Sequence, residues 1–187
     1  MSVNPDDAEA PYNLGVAYGK LERYIEAIEV FKKAIRIKHD YPEAHFSLGV
    51  TYGRLERYSE AIEVFKKVIS IWPDYAEAYY NLASAYDKLG QHKMAIKGYI
   101  KACRANRNYA EALYELAIVY NKLGQYGNAI GPLKQVIRIK PDSAAAHYNL
   151  GLAHLRLDDR DSAQKEYNIL KDLDKEFADQ LFNHIYK

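Results

Sequence analysis

Apolar residues along this chain fall at spacings of three, four and seven, and the whole pattern returns after thirty-four residues. YIEAIEVFKKAIRI at 24–37 becomes YSEAIEVFKKVISI at 58–71. Counted from Ala8, later units begin at Pro42, Ala76, Ala110 and Ala144 and run through Phe177 without insertion or deletion, which sets the repeats at 8–41, 42–75, 76–109, 110–143 and 144–177. Such spacings mark the inward face of an α-helix, so each unit holds two helical stripes joined by a short turn. The seventh position is leucine throughout (Leu14, Leu48, Leu82, Leu116, Leu150), and the eighth is Gly15, Gly49, Ala83, Ala117 or Gly151. The twentieth is always alanine, and four residues after it stand Phe31, Phe65, Tyr99, Leu133 and Tyr167. Small residues at the eighth and twentieth positions let paired helices approach closely; the large ones fill the space above and below.

Unit boundaries carry a second signal. Asp40, Asp74 and Asn108 each stand three residues before a glutamate (Glu43, Glu77, Glu111), Asp6 and Glu9 repeat the spacing, and Asp142 faces Ala145. This is the spacing of a capping box, in which the first side chain accepts an amide of the new helix and the glutamate reaches back. A helix pair this short is marginal in water until a neighbour covers its second apolar face. The pattern therefore predicts an all-α solenoid, a single domain over 1–187 with five antiparallel helix pairs and a short terminal capping helix over 178–187. In that last segment His184 stands where leucine recurs. Gly98, and then Gly127, Gly131 and Pro132, interrupt the second helices of units three and four and predict a local bend before Pro132.

Leu14, Gly15, Tyr18, Tyr24, Ala27, Phe31 and Ala34, repeated as Leu48, Gly49, Tyr52, Tyr58, Ala61, Phe65 and Val68 with Pro73, resemble the signature of the tetratricopeptide repeat family over residues 8–177. Later units depart from it, with His92 and Arg160 in place of the aromatic at the seventeenth position. The resemblance implies a right-handed superhelix whose first helices line a concave groove that binds peptides or partner proteins. It implies a scaffold without implying one ligand, and in the absence of catalytic or metal-ligating motifs no enzyme activity, cofactor or metal is expected.

In the resembling fold the second, fifth, sixth, ninth, twelfth and thirteenth positions of the first helices face the groove. The candidate peptide-binding residues are thus Tyr12, Asn13, Val16, Phe46, Val50, Tyr80, Asn81, Tyr114, Glu115, Ile118, Tyr148 and Asn149, with Lys20, Arg54, Lys88, Lys122 and Arg156 along the rim. Tyrosine offers rigid area with a polar tip, and asparagine both donates to and accepts from a peptide backbone. Two uses compete at these positions, because the aromatics also suit sealing of the junction between units and the asparagines suit bonding within their own helix pair. The rim cations likewise suit the helix dipole. Gly19 and Gly53 at the twelfth position open room in the first two units, where Asp87, Asn121 and Leu155 fill it later. The family's chaperone acidic-tail clamp is absent, since Glu77, or Glu111 and Glu115, stand where it needs cations. Asn13, Asn81 and Asn149 resemble an asparagine ladder that Ser47 and Glu115 interrupt.

Composition narrows the classes further. Twenty-six Lys and Arg against twenty-five Asp and Glu leave a formal charge of +1, which opposes a phosphate-tracking groove and so nucleic acid as the partner. The one cysteine, Cys103, excludes a disulfide framework within the chain and occupies an apolar helical position that suits a small buried residue. The six histidines form no HExxH pattern, and no phosphate-binding glycine loop or CxxC pair occurs. No apolar stretch spans a bilayer, and the N-terminus lacks a signal-peptide pattern, which points to a cytoplasmic protein without membrane association. Trp72 is expected to pack at the junction of units two and three. The expected function is a protein-interaction scaffold; the alternative is an assembly subunit that self-associates through repeat ends or uses its convex surface.

Overall fold

The computed structural model describes residues 7–186. Paired helices follow the period: α1 (Glu9–Lys20) with α2 (Tyr24–Ile37), α3 (Pro42–Arg54) with α4 (Tyr58–Ile71), α5 (Ala76–Lys88) with α6 (His92–Ala105), α7 (Ala110–Lys122) with α8 (Tyr126–Ile139), and α9 (Ala144–Leu155) with α10 (Arg160–Leu173). A further helix, α11 (Lys175–Tyr186), ends the described chain. The architecture is an all-α helical-hairpin solenoid of five repeats with an additional C-terminal helix. Packing divides it into two compact units, Met1–Gly98 and Tyr99–Lys187, with the boundary in the chain falling within α6.

In the first unit the helices of each pair are held by a small residue against a large ring. A Cβ on Gly15 would stand 2.5 Å from the Phe31 ring, and one on Gly49 would stand 2.7 Å from that of Phe65. Both rings are buried, as are Ala27 and Ala61 beside them. The third pair moves the small residue to the partner helix. A Cβ on Gly98 would meet that of Ala83 at 2.8 Å, so this mid-helix glycine is a close-approach site rather than an irregularity. The second unit buries Leu113, Ala117, Leu133, Val136 and Leu150 of α7, α8 and α9 in one cluster, and Ala163, Leu170, Ala178, Leu181 and Ile185 of α10 and α11 in another. Leu181 lies against Gly151, so α11 covers α9 and α10 as a sixth first helix would. α8 runs unbroken through Pro132, whose ring nitrogen leaves one intrahelical donor missing.

The capping-box expectation is corrected. The residues that precede α3, α5, α7 and α9 are Tyr41, Tyr75, Tyr109 and Ser143, and none makes a side-chain cap bond. Asp40, Asp74, Asn108 and Asp142 stand one residue too early; Asp40 accepts instead from Lys67 Nζ at 3.1 Å, and the glutamate of the fourth repeat, Glu111, from Lys140 Nζ at 2.6 Å. Glu43, Glu77 and Glu111 remain in the first turn, where the helix dipole favours them. Asp6 lies outside the described residues, and Glu9 gives its amide to Asp7 Oδ1. Side-chain caps occur instead at Asp159, which accepts the amide of Ser162, and at Asp174, which accepts those of Glu176 and Phe177. Asp174 starts α11 at Lys175, three residues before the predicted 178.

The turns within each pair share a second motif. The fifteenth residue is left-handed in all five: Glu22 (φ 59°), Glu56 (57°), Gly90 (71°), Gly124 (70°) and Asp158 (61°). Its amide bonds back three residues and the next amide five, as in Glu22 to Gly19 and Arg23 to Tyr18, which closes the helix in a Schellman motif. In the first two repeats Arg23 and Arg57 then lie 4.6 and 4.7 Å over the Tyr18 and Tyr52 rings and hold Glu26 and Glu60. In the fifth unit both members change together: His154 replaces the tyrosine, Asp159 replaces the arginine, and the two meet at 3.0 Å. His147, also buried, points Nδ1 at Glu166 (2.6 Å) and Nε2 at the Pro141 carbonyl (3.0 Å).

Two outcomes follow from this packing. Replacing Glu22 or Glu56 with glycine relieves the left-handed cost of about 1–2 kcal/mol but adds unfolded-state freedom of about 0.4–1 kcal/mol. A rise of about 0.5–1 kcal/mol is expected in urea melts, and a fall would show that the side chains support the turn. Cys103 packs beside the second unit's core, partly rather than fully buried, and burial pushes its thiol up to about 11. At pH 8 iodoacetamide is expected to label the native chain about two orders of magnitude more slowly than the urea-unfolded chain, with the native rate climbing as pH rises toward that value. Equal rates would contradict it.

Candidate functional site

The first helices of unit one, α1, α3 and α5, place the candidate residues in two kinds of setting. Tyr12 and Phe46 are half-buried, and each contacts the ring of its paired helix, Phe31 at 6.0 Å and Phe65 at 5.8 Å between centroids. Each also packs in a tilted arrangement on the aromatic at the last position of its repeat, Tyr12 on Tyr41 at 5.1 Å and Phe46 on Tyr75 at 5.0 Å. Tyr41 is buried among Ala8, at the N-cap position of α1, Ala34 of α2 and Ala44 of α3, so this aromatic pair seals the junction. Tyr80 is also half-buried. Trp72 extends the second seal outward, stacking on Tyr75 at 4.8 Å while remaining 46% exposed.

The seal was legible as a recurrence at the thirty-fourth position, Tyr41, Tyr75, Tyr109 and Phe177, broken by Ser143. In unit two Tyr148 meets Phe177 at 5.0 Å. Tyr114, whose repeat ends in Ser143, instead accepts a hydrogen bond at its hydroxyl from Asn149 Nδ2 at 3.1 Å. Burial, with Glu115 adding to it, raises the Tyr114 phenol above its ordinary range, and burial raises that of Tyr148. Both stay protonated at neutral pH. Glu115 and Ile118 are half-buried on α7.

The asparagines divide in the same way. Asn81 Nδ2 donates to the Glu77 carbonyl at 2.8 Å and Asn149 Nδ2 to that of Ala145 at 2.8 Å, each within its own helix. Their Oδ1 atoms are left as acceptors, while Asn13 is exposed. Rim residues Lys20, Arg54, Lys88, Lys122 and Arg156 are all exposed.

Two cavities open between the first helices of unit one. A cavity of about 470 Å³ gathers Val16, Lys20, Phe46, Val50 and Arg54 with Gly15, Gly19, Phe31, Ser47 and Thr51. A second, of about 230 Å³, gathers Val50, Arg54, Asn81 and Lys88 with Gly49, Gly53, Phe65 and Ser84. Tyr12, Asn13 and Tyr80 line neither. A Cβ at Gly19 or Gly53 would meet nothing within 4 Å. In unit two the twelfth position of α7 is Asn121, whose buried Oδ1 has no hydrogen-bond partner. Among the described residues no group of three or more His, Cys, Asp and Glu side chains could hold a metal ion, and no helix is long and apolar enough to cross a membrane.

Comparison with known proteins places this arrangement. A family model described as TPR repeat matches residues 20–56, 52–90 and 119–158, and one described as tetratricopeptide repeat matches 76–109 and 144–177. No curated protein matches the chain. Among solved structures, a MamA protein is 30% identical, with 86% of this chain and 88% of that one covered at a TM-score of 0.81. MamA from Desulfovibrio magneticus RS-1 is 23% identical, covering 94% and 98% at 0.82. YrrB, described as a TPR protein with an unusual peptide-binding site, is 23% identical, covering 96% and 94% at 0.82. The chain, with its thirty-four-residue period and paired helices, belongs to the tetratricopeptide repeat family.

Proposed function

We propose that the face presented by the first helices binds an extended peptide segment of a partner protein. Tetratricopeptide repeats are non-catalytic protein-binding scaffolds, and the residue types on this face suit that use. The observation that carries the reading is the pair of cavities between α1, α3 and α5, where Val16, Phe46 and Val50 supply apolar walls beside Ser47, Asn81 and Ser84. A peptide laid across them buries alternate side chains while the serines and the Asn81 carbonyl meet its backbone. On α7 and α9, Ile118 and Asn149 offer the same combination of apolar area and acceptor.

A photo-crosslinking residue placed at Val16 or at Val50 tests this. Both are expected to capture the same partner, whereas the residue at exposed Lys33 on α2 captures none. Val50→Asp, with an unchanged melting curve, is expected to weaken that capture about tenfold. Capture from Lys33 alone would move the binding surface to the second helices.

A second reading is favoured by one feature of α1 and α2. Leu14, Leu21 and Ile25 are 45%, 68% and 59% exposed, although Leu48, the repeat equivalent of Leu14, is only 5% exposed. Such a face suits packing against another subunit. Sedimentation of the chain over a range of concentrations is then expected to show association that Leu14→Glu with Leu21→Glu abolishes. A constant monomer mass would reject assembly through this end.

A further inference from the structure

The two cavities of the first unit are copies of one another, one repeat apart. Gly15, Gly19 and Phe31 of the first become Gly49, Gly53 and Phe65 of the second. Their lips are also copied, Lys20 and Arg54 becoming Arg54 and Lys88, so Arg54 borders both. The three cations are exposed, and among the described residues none is in an ion pair, whereas Arg23, Arg57, Lys66 and Lys67 of the same unit each hold a carboxylate. Glu22 lines the first cavity, and no carboxylate lines the second.

The opposite end of the same helices is acidic. Glu9, Glu43 and Glu77 stand eleven positions before the cations, which at 1.5 Å per residue is about 16 Å along each helix. A partner's carboxylates are therefore repelled from one edge of the face and drawn to the other. The glycines supply an independent pointer. A glycine inside a helix costs about 0.5–1 kcal/mol relative to alanine, and neither Gly19 nor Gly53 is needed for packing, since a Cβ there meets nothing. The room they leave opens directly between an apolar floor and the cationic lips.

We propose that these cavities are paired side-chain pockets for an acidic, apolar peptide. Two apolar side chains of one segment sit over Phe31 and Phe65, and carboxylates beside them pair with Lys20, Arg54 and Lys88. The first pocket, with Val50 in its wall, takes the larger side chain; the second, with Ser84 at the equivalent place, takes the shorter one. The proposal rests on the peptide-binding reading and adds to it the chemistry of the partner.

The test uses the full chain and fluorescein-labelled synthetic peptides that carry two leucines two, three or four residues apart, with either aspartate or lysine around them. Anisotropy is expected to show binding of the aspartate set, about tenfold weaker binding of the lysine set, and a similar loss when the leucines become serine. Arg54→Glu, which touches both pockets, is expected to reverse the charge preference, and Gly19→Met with Gly53→Met to abolish binding. Gly53→Ala, which adds little volume and favours the helix, separates pocket filling from misfolding because its melting temperature should hold or rise. Equal binding of the aspartate and lysine sets, no binding of either, or unchanged binding in the folded methionine variant would each overturn the proposal. Crosslinking from Val50 that persists in those cases would leave the peptide-binding reading standing.

Discussion

The close approach of the two helices within a repeat is the constraint on which the rest of this structure depends. Where Gly15 and Gly49 face Phe31 and Phe65, a single added methyl would stand 2.5 or 2.7 Å from a ring carbon and force the pair apart. The third pair meets the same constraint by placing glycine on the other helix, against Ala83. Once paired helices are locked at that separation, the buried rings form a floor, and the first helices stand above it with the ninth, twelfth and thirteenth positions outward. The cavities of the first unit are a by-product of this geometry. They lie above the same glycine and phenylalanine that hold the pair together.

Much of this was written in the periodicity. The helix count, the pairing and the small-against-large contact all come from residues that recur in register, because burial of a repeated face leaves a repeated sequence. The helix starts were less legible. Asp40 and Glu43 have the spacing of a capping box, but a spacing of three does not say which residue is the last non-helical one, and the tyrosine between them takes that place to make the junction seal. The left-handed turns were hidden for a similar reason. Gly90 and Gly124 signal them, whereas Glu22, Glu56 and Asp158 adopt the same conformation without the residue that advertises it.

The candidate site divided along physical lines. Val16 and Val50 of the ninth position and Lys20, Arg54 and Lys88 of the thirteenth line the two cavities. Tyr12, Phe46 and Tyr148 of the fifth position lie against the ring at the end of their own repeat, and Asn81 and Asn149 bond the carbonyl one turn back. Pattern alone could name both uses of these residues without choosing, because the choice depends on whether a partner ring exists at the junction. The Tyr114 hydroxyl shows this: with serine at the end of its repeat, it takes Asn149 instead.

The pairing of the eleventh and sixteenth residues has a consequence for how such arrays change over time. Tyrosine with arginine in the first two units, and histidine with aspartate in the fifth, are both complete sets, and mixing them would set a histidine against an arginine or leave an acid over a phenol ring. The ring contacts of Tyr12 with Tyr41, Phe46 with Tyr75 and Tyr148 with Phe177 likewise fall inside one period. Duplication or exchange that cuts ahead of each first helix carries each of these pairs across intact. A cut at the hairpin separates them, so the stretch from one inter-repeat loop to the next is the natural cassette of inheritance for this chain.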